Sequence, residues 1–333
     1  MAYEPNFRMT PHALQLIEEA VRLNVQIEQA TYGLPWVPQL QREAKARSAH
    51  SSTAIEGNPL TLDDVKILEQ EGRPSKKKSR AVQEILNYFA VLRFISRKRA
   101  IPEVREEDIL RIHRILGQKG ALDRGPFGKY RSYQVYIGNH VPPKATAVPH
   151  LIRELLQWLN GPGQQWPAPV SSAILHLRFE DIHPFGDGNG RAGRVLALWE
   201  LYRRGFDTHH IFAVDEFYWE NQQSYYAHLD QAQQDGDLSP WVEFCLEAIL
   251  EALRSTWNRL QALPTQKDQK QVILRPKQEK LVVLLQKEPL GIQEIARLLK
   301  VTKPGAHFLL RPLLYQKIVI RKGGYKTGKY YIL

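Results

Sequence analysis

Two apolar segments joined by a short glycine-rich run constrain this chain more than any other feature. VSSAILHLRFEDIHPF, from Val170 to Phe185, and RVLALWELYRRGF, from Arg194 to Phe206, carry apolar residues on most faces of a helix. A helix that is apolar all round must be buried. The two are therefore predicted to be long helices at the centre of a mainly α-helical domain. Where they meet stands HPFGDGNGRAGR, His183 to Arg194, with one histidine, one carboxylate, one asparagine, two arginines and four glycines.

The surrounding sequence has the same helical texture. HALQLIEEAVRLNVQIEQATYG closes at Gly33, and VPQLQREAKARSAHSSTAIEGN stops at Gly57 and Asn58. TLDDVKILEQEG begins with Thr61 as an N-cap, and the basic run RPSKKKSR reads as a solvated loop. AVQEILNYFAVLRFISRKR, EEDILRIHRILGQKG, HLIRELLQWLNG, ENQQSYYAHLDQAQQDGD and PWVEFCLEAILEALRSTWNRLQAL are periodic or apolar helices. From Gly125 the texture changes. SYQVYIG is β-rich, and the prolines of VPPKATAVP rule out a regular element there, so Tyr130 to Pro143 is predicted to be a short hairpin or an extended flap.

Composition bounds the class. Of 333 residues, 43% are apolar and 24% charged, enough for a sizeable core. No run approaches the roughly 20 apolar residues of a membrane span, and MAYEPNFRMTPHALQ lacks the features of a secretory signal. The single cysteine, Cys245, is expected to be a buried thiol, with no intrachain disulfide, no Cys-rich zinc site and a reducing, cytoplasmic setting.

The central run has the parts for phosphate chemistry. Gly186, Gly188 and Gly190 let backbone N–H groups turn inward without Cβ obstruction. The loop leads into a helix N-terminus, which attracts phosphate, and Asn189 can add an amide donor. Arg191 and Arg194, three apart, offer two guanidinium forks on one helix face. Asp187 is a hard oxygen ligand suited to Mg²⁺, and His183 can take a proton near neutral pH. These parts suit phosphoryl or nucleotidyl transfer, although no P-loop is present.

His-Pro-Phe-x-Asp-Gly-Asn-Gly-Arg-x-x-Arg matches the signature of Fic-domain proteins at every defined position. The neighbouring GKYRSYQVYIG and VPPKATAVPHLIRELLQWLN resemble the family's flap and the helix after it, and the resemblance runs from about Ser48 to Leu260. It implies a helical core with a β-hairpin flap, and transfer of AMP from ATP to a Tyr, Thr or Ser hydroxyl of a protein, releasing pyrophosphate. By position, His183 would be the general base and Asp187 would bind Mg²⁺. Asn189 and the loop N–H groups would hold the α-phosphate, Arg191 the β-phosphate and Arg194 the γ-phosphate. Val135, Tyr136, Ile137 and Gly138 would register an extended target segment by strand addition. Tyr225 and Tyr226 are candidates for the adenine pocket.

HSSTAIEGNPLT resembles the family's inhibitory Ser/Thr-x-x-x-Glu-Gly/Asn motif, with Ser52 and Glu56 one helical turn apart. There the glutamate pairs with the last signature arginine, here Arg194, and misplaces ATP. The expected layout is a helical region over 1–100 with the inhibitory helix at about 45–58, a catalytic core over 101–263, a linker over 264–276, and a last domain over 277–333.

That last domain reads as three helices and a hairpin, the pattern of a winged helix-turn-helix. From Pro264 to Leu333 there are 15 Lys and Arg against 4 Asp and Glu, while the preceding 263 residues hold 31 of each sign. Lys303, His307 and Arg311 would lie on one face of its third helix, and RKGGYKTGK forms a basic wing, so either DNA or a protein partner is expected. Two alternatives stand beside AMP transfer. One is AMP removal at the same site, with Glu56 activating water. The other is a DNA-binding regulator whose site senses ATP. The protein substrate is not readable, the chain itself is a candidate, and the resemblance is compatible with a homodimer.

Overall fold

The computed structural model describes residues 3–31, 34, 36–71, 79–123, 125–138, 140–207, 209–263, 276–315, 318–324 and 328–332. The chain divides into two compact units, residues 1–32 with 41–260 and residues 33–40 with 261–333. The expected linker lies outside the described residues except for Pro276, and Gly33 also lies outside them.

The first unit is built around α7 (Ala168–Ile182) and α8 (Asn189–Arg203), packed against each other. Every residue of α7 except Arg178 and Asp181 is buried, as is every residue of α8 from Arg191 to Tyr202. The Ser172 hydroxyl donates to the Ala197 carbonyl across the pair (2.8 Å). A buried charge needs partners, and Glu200 of α8 has them in Ser171 Oγ (2.8 Å), Arg203 and Arg204.

Around this pair lie α4 (Arg80–Arg97) and α5 (Glu106–Leu116), both against α8, and α6 (Val148–Asn160), against α7. Pro149, counted among the helix-breaking prolines, sits in the first turn of α6, where its missing N–H costs nothing. The remaining helices are α1 (Pro11–Thr31), α2 (Val37–Ala54), α3 (Leu62–Glu71), α9 (Val214–Glu220), α10 (Gln222–Asp235) and α11 (Ser239–Ala262). Trp241 of α11 is fully buried and donates its Nε1–H to the Ala173 carbonyl (2.8 Å).

α2 ends as the sequence predicts. Gly57 is left-handed (φ 87°), its N–H donates to the Ala54 carbonyl (2.9 Å), and the Asn58 N–H donates to the Thr53 carbonyl (3.0 Å). These are the two bonds of a Schellman stop. The flap takes the extended form, one of its two expected forms, and not the hairpin. It is extended chain with one isolated bridge, Ile137 to His140, around Gly138 (φ 52°). Pro142 and Pro143 have no N–H to continue a ladder, and Gln134 Nε2 donates to the Pro142 carbonyl instead (2.8 Å).

The second unit contains α12 (Pro276–Lys287), β1 (Leu290–Gly291), α13 (Ile292–Leu298), α14 (Lys303–Tyr315), β2 (Val319–Lys322) and β3 (Lys329–Ile332). The strands form an antiparallel sheet in the order β1-β3-β2, with Leu290 opposite Tyr330 and Val319 opposite Ile332. Its core includes Leu281, Ile295, Leu310, Leu313 and Val319. The Thr302 hydroxyl caps α14 by accepting from the Gly305 N–H (3.2 Å). Among the described residues, no helix is long and apolar enough to cross a membrane.

Candidate active site

α7 ends at His183, which takes up the left-handed conformation (φ 45°, ψ 63°) while its N–H still donates to the Phe179 carbonyl (3.0 Å). A residue with a Cβ is seldom found there, and such backbone gathers at functional sites. Phe185 anchors the turn. It is fully buried and stacks on His113 of α5 at 3.7 Å between ring centroids. His113 also donates from Nε2 to the Asp187 carbonyl (2.9 Å) and accepts the Gly128 N–H at Nδ1 (3.0 Å). Burial lowers its pKa to about 4, so both bonds are made by the neutral ring.

The loop turns at a glycine. Gly188 has φ 81°, and a Cβ there would lie 2.8 Å from Leu122 Cδ1. α8 starts at Asn189 with no side chain capping its first N–H groups. Asn189 itself departs from expectation. Its Oδ1 accepts the Phe185 N–H and its Nδ2 donates to the Phe185 carbonyl, both at 2.9 Å. The amide expected to face a phosphate is a buried bracket across the loop.

The opening of α8 is filled by an anion from the protein itself. A Cβ on Gly190 would lie 2.3 Å from Glu56 Oε1. That oxygen accepts from Arg194 Nη2 at 2.7 Å, and the Glu56 side chain is 27% exposed. Arg194 is buried, donating from Nε to Ser52 Oγ (2.8 Å), from Nη2 to the Ser52 carbonyl (2.8 Å) and from Nη1 to Tyr225 Oη (3.4 Å). Asp215, held by the Ser48 hydroxyl (2.5 Å), lies 3.9 Å away. Burial alone would raise the Glu56 pKa, but Arg194 and Arg191 bring it below the ordinary carboxylate value. Gln222 Nε2 ties the turn at the end of α2 by donating to the Ile55 carbonyl (3.0 Å).

Arg191 turns the other way. It pairs with Asp187 Oδ1 (3.1 Å) and with Glu84 Oε2 (3.5 Å), while Asp187 Oδ2 accepts the Asp123 N–H (2.7 Å). Glu84 also accepts from Asn58 Nδ2 (3.0 Å), so one carboxylate meets both the turn that ends α2 and a signature arginine.

The pKa of His183 also departs from expectation. Burial pushes it down to about 4, Arg131 and His140 lower it further, and the Glu180 carbonyl and Glu56 oppose them. The ring is therefore neutral at pH 7. Its Nδ1 lies 3.9 Å from Glu180 Oε2. Burial raises Glu180 to about 8, with Arg194 opposing. The Glu180 carboxyl occupies the space of a Cβ that Gly193 lacks, 2.3 Å from that position.

The two tyrosines of α10 diverge. Tyr225, expected beside an adenine, is buried, donates to His176 Nε2 (3.1 Å) and accepts from Arg194 Nη1. Tyr226 is 42% exposed. In the flap, Val135 is buried while Tyr136 is 74% exposed and Ile137 is 37% exposed.

The family model described as Fic/DOC family matches residues 103–201, which include the whole signature. Residues 103–201 carry a Fic domain. The protein adenylyltransferase Fic of Drosophila grimshawi is 32% identical over 218 residues, covering 63% of this chain and 43% of that relative. The protein of the same name from Drosophila willistoni is 33% identical over the same length. The chain thus spans less than half the length of those curated relatives. A Fic family protein from Desulfovibrio desulfuricans has a similar structure, with a TM-score of 0.69 and 27% identity over 99% of this chain and 98% of that one. Fic-1 from C. elegans shares the fold, with a TM-score of 0.64 and 24% identity.

Among the site residues that the sequence does not announce are His113, Arg131, Glu180 and Glu84. Their partners are far away in sequence or depend on how α7 and α8 meet. Only Glu180, three residues before His183, carried a local signal.

Proposed function

We propose that this chain is a protein adenylyltransferase whose site is held inhibited by Glu56. The observation that carries the proposal is the Glu56 carboxylate seated at Gly190 on Arg194. The start of α8 is an anion site, and one of the protein's own carboxylates stands where a substrate phosphate would lie. The name of the Drosophila relatives supports the same chemistry.

In this reading ATP lays its phosphates along the loop from Gly186 to Gly190. Arg191 and Arg194 turn from their carboxylates to the β- and γ-phosphates. A Tyr, Thr or Ser hydroxyl of a target protein gives its proton to neutral His183. Its oxygen bonds to the α-phosphorus as the bond to the β-phosphate oxygen breaks, and pyrophosphate leaves. Tyr136 and Ile137 offer the exposed edge on which an extended target segment is registered. While Glu56 keeps Arg194, the γ-phosphate lacks its fork and the α-phosphorus is out of line.

Mg²⁺ fits this donor set. Among the described residues no group of three or more metal-ligating side chains exists, and Mg²⁺ is commonly held by one or two carboxylates plus substrate phosphates. Asp187 would hold it, and the ion would offset phosphate charge. A reducing, cytoplasmic setting suits the single buried thiol of Cys245.

The second unit is proposed to be a winged helix, with α14 as its recognition helix. Lys303, His307 and Arg311 are all exposed on one face of α14, which suits phosphate contacts or an acidic protein surface.

The test is the position of the label. With Glu56→Gly and Mg²⁺, label from the α-phosphate of ATP is expected on protein and label from the γ-phosphate is not. Adding His183→Ala removes it. Transfer of γ-label, or α-label transfer that survives His183→Ala, overturns the proposal.

A further inference from the structure

Arg131 is buried, and its side-chain bonds go to main-chain carbonyls. Nε donates to His183 (2.9 Å), Nη1 to Tyr133 (2.9 Å), and Nη2 to Pro143 and to Ile182 (3.5 Å). Its own N–H donates to the Pro184 carbonyl (2.9 Å). A buried charge is costly unless well bonded, and this one is bonded to two structures at once.

The first is the end of α7, where His183 is left-handed and its carbonyl must be held to keep it so. The second is the flap. Tyr133 and Pro143 stand at its two ends, and the guanidinium fork draws them together on one rigid plane. Between them lie the exposed Tyr136, Ile137 and Val141.

We propose that Arg131 is a positioning residue that fixes His183 and both ends of the flap in one frame, so that a target segment seated on the flap meets a base already in place. The proposal rests on the transferase reading. A side effect supports it. The charge of Arg131 helps keep His183 neutral, acting beside His140 and against Glu56 and the Glu180 carbonyl. Lysine would keep the charge but lacks the planar fork, so the two effects separate by substitution.

The test uses the full chain carrying Glu56→Gly, with Arg131→Lys or Arg131→Ala added. Misplacing a reacting group by about 1 Å costs roughly 100-fold, so kcat for AMP transfer should fall about 100-fold with Arg131→Lys. MgATP affinity should stay within about threefold, because the phosphate loop is bracketed separately by Asn189. Guanidinium ion added to Arg131→Ala should restore part of kcat. Full kcat with Arg131→Lys, or ATP affinity falling in step with kcat, overturns the proposal. If Glu56→Gly alone transfers nothing, the transferase reading has failed, and amide hydrogen exchange decides this one independently. With Arg131→Lys the amides of His183 and Phe185 and those of the flap should lose protection together, and unchanged protection at either contradicts the proposal.

Discussion

Replacing Glu56 with glycine should weaken the protein and strengthen its hold on ATP at once. The bond removed is a single charge-assisted contact, Glu56 Oε1 to Arg194 Nη2 at 2.7 Å. Such bonds contribute roughly 1.5–3 kcal/mol. The carboxylate is partly exposed, and Arg194 keeps the Ser52 hydroxyl and carbonyl at 2.8 Å, with Asp215 at 3.9 Å. The net loss is therefore about 1 kcal/mol, toward the value of a solvent-screened pair. For a unit of this size that lowers Tm by about 2–4 °C. Opening the seat beside Gly190 frees Arg194 for a phosphate, and regaining a bond of the same class tightens MgATP about tenfold. Thermal unfolding of wild type and Glu56→Gly, each with and without MgATP, reads both effects. The variant should melt lower alone and rise more with nucleotide. Equal nucleotide-induced shifts, or a variant no less stable alone, would refute the argument.

Other expectations follow from the same site. Gly190→Ala should break the Glu56–Arg194 contact, because its Cβ would fall 2.3 Å from Oε1. It should lower Tm much as Glu56→Gly does yet gain no transfer, since the methyl fills the phosphate seat; a labelling assay showing activation would contradict this. Acid should destabilise the fold. Burial holds His113, His183 and His210 at about 4 and His176 at about 3. Between those values and about 6.5 the unfolded chain binds more protons, so stability falls as pH drops through that window. Glu180 and Asp207, raised to about 8 by burial, act oppositely, but four histidines outweigh two acids at pH 5–6. Denaturant midpoints at pH 5 and pH 7 check the sign. The full chain should bind duplex DNA with an affinity that falls steeply with salt, and Lys303→Glu with Arg311→Glu should abolish it. Binding that ignores salt or these substitutions would favour protein docking.

The centre of the fold was legible because its signal is local. Apolar residues on every face of α7 and α8 force burial, and the glycines between them mark a loop that opens onto a helix start. Gly57 and Asn58 likewise announce the stop of α2. What was hidden depends on partners distant in sequence. Nothing in HPFGDGNGR says that the Asn189 amide closes back on Phe185, or that His113, 74 residues earlier, carries the Asp187 carbonyl. Tyr225 and Tyr226 are adjacent, and only the packing of α10 decides which is buried. β1 is two residues long, too short to show a period. The flap looked like strands because Val135 and Ile137 alternate with their neighbours, but the prolines that follow deny it a ladder.

The most direct test of the account is the initial rate of AMP transfer to protein, measured for wild type and Glu56→Gly at saturating MgATP. A misplaced α-phosphorus costs roughly 100-fold, so the variant should exceed wild type by about that factor. Equal rates would contradict the account: the Glu56 carboxylate at Gly190 would then be a structural contact, and the site would not be under its control.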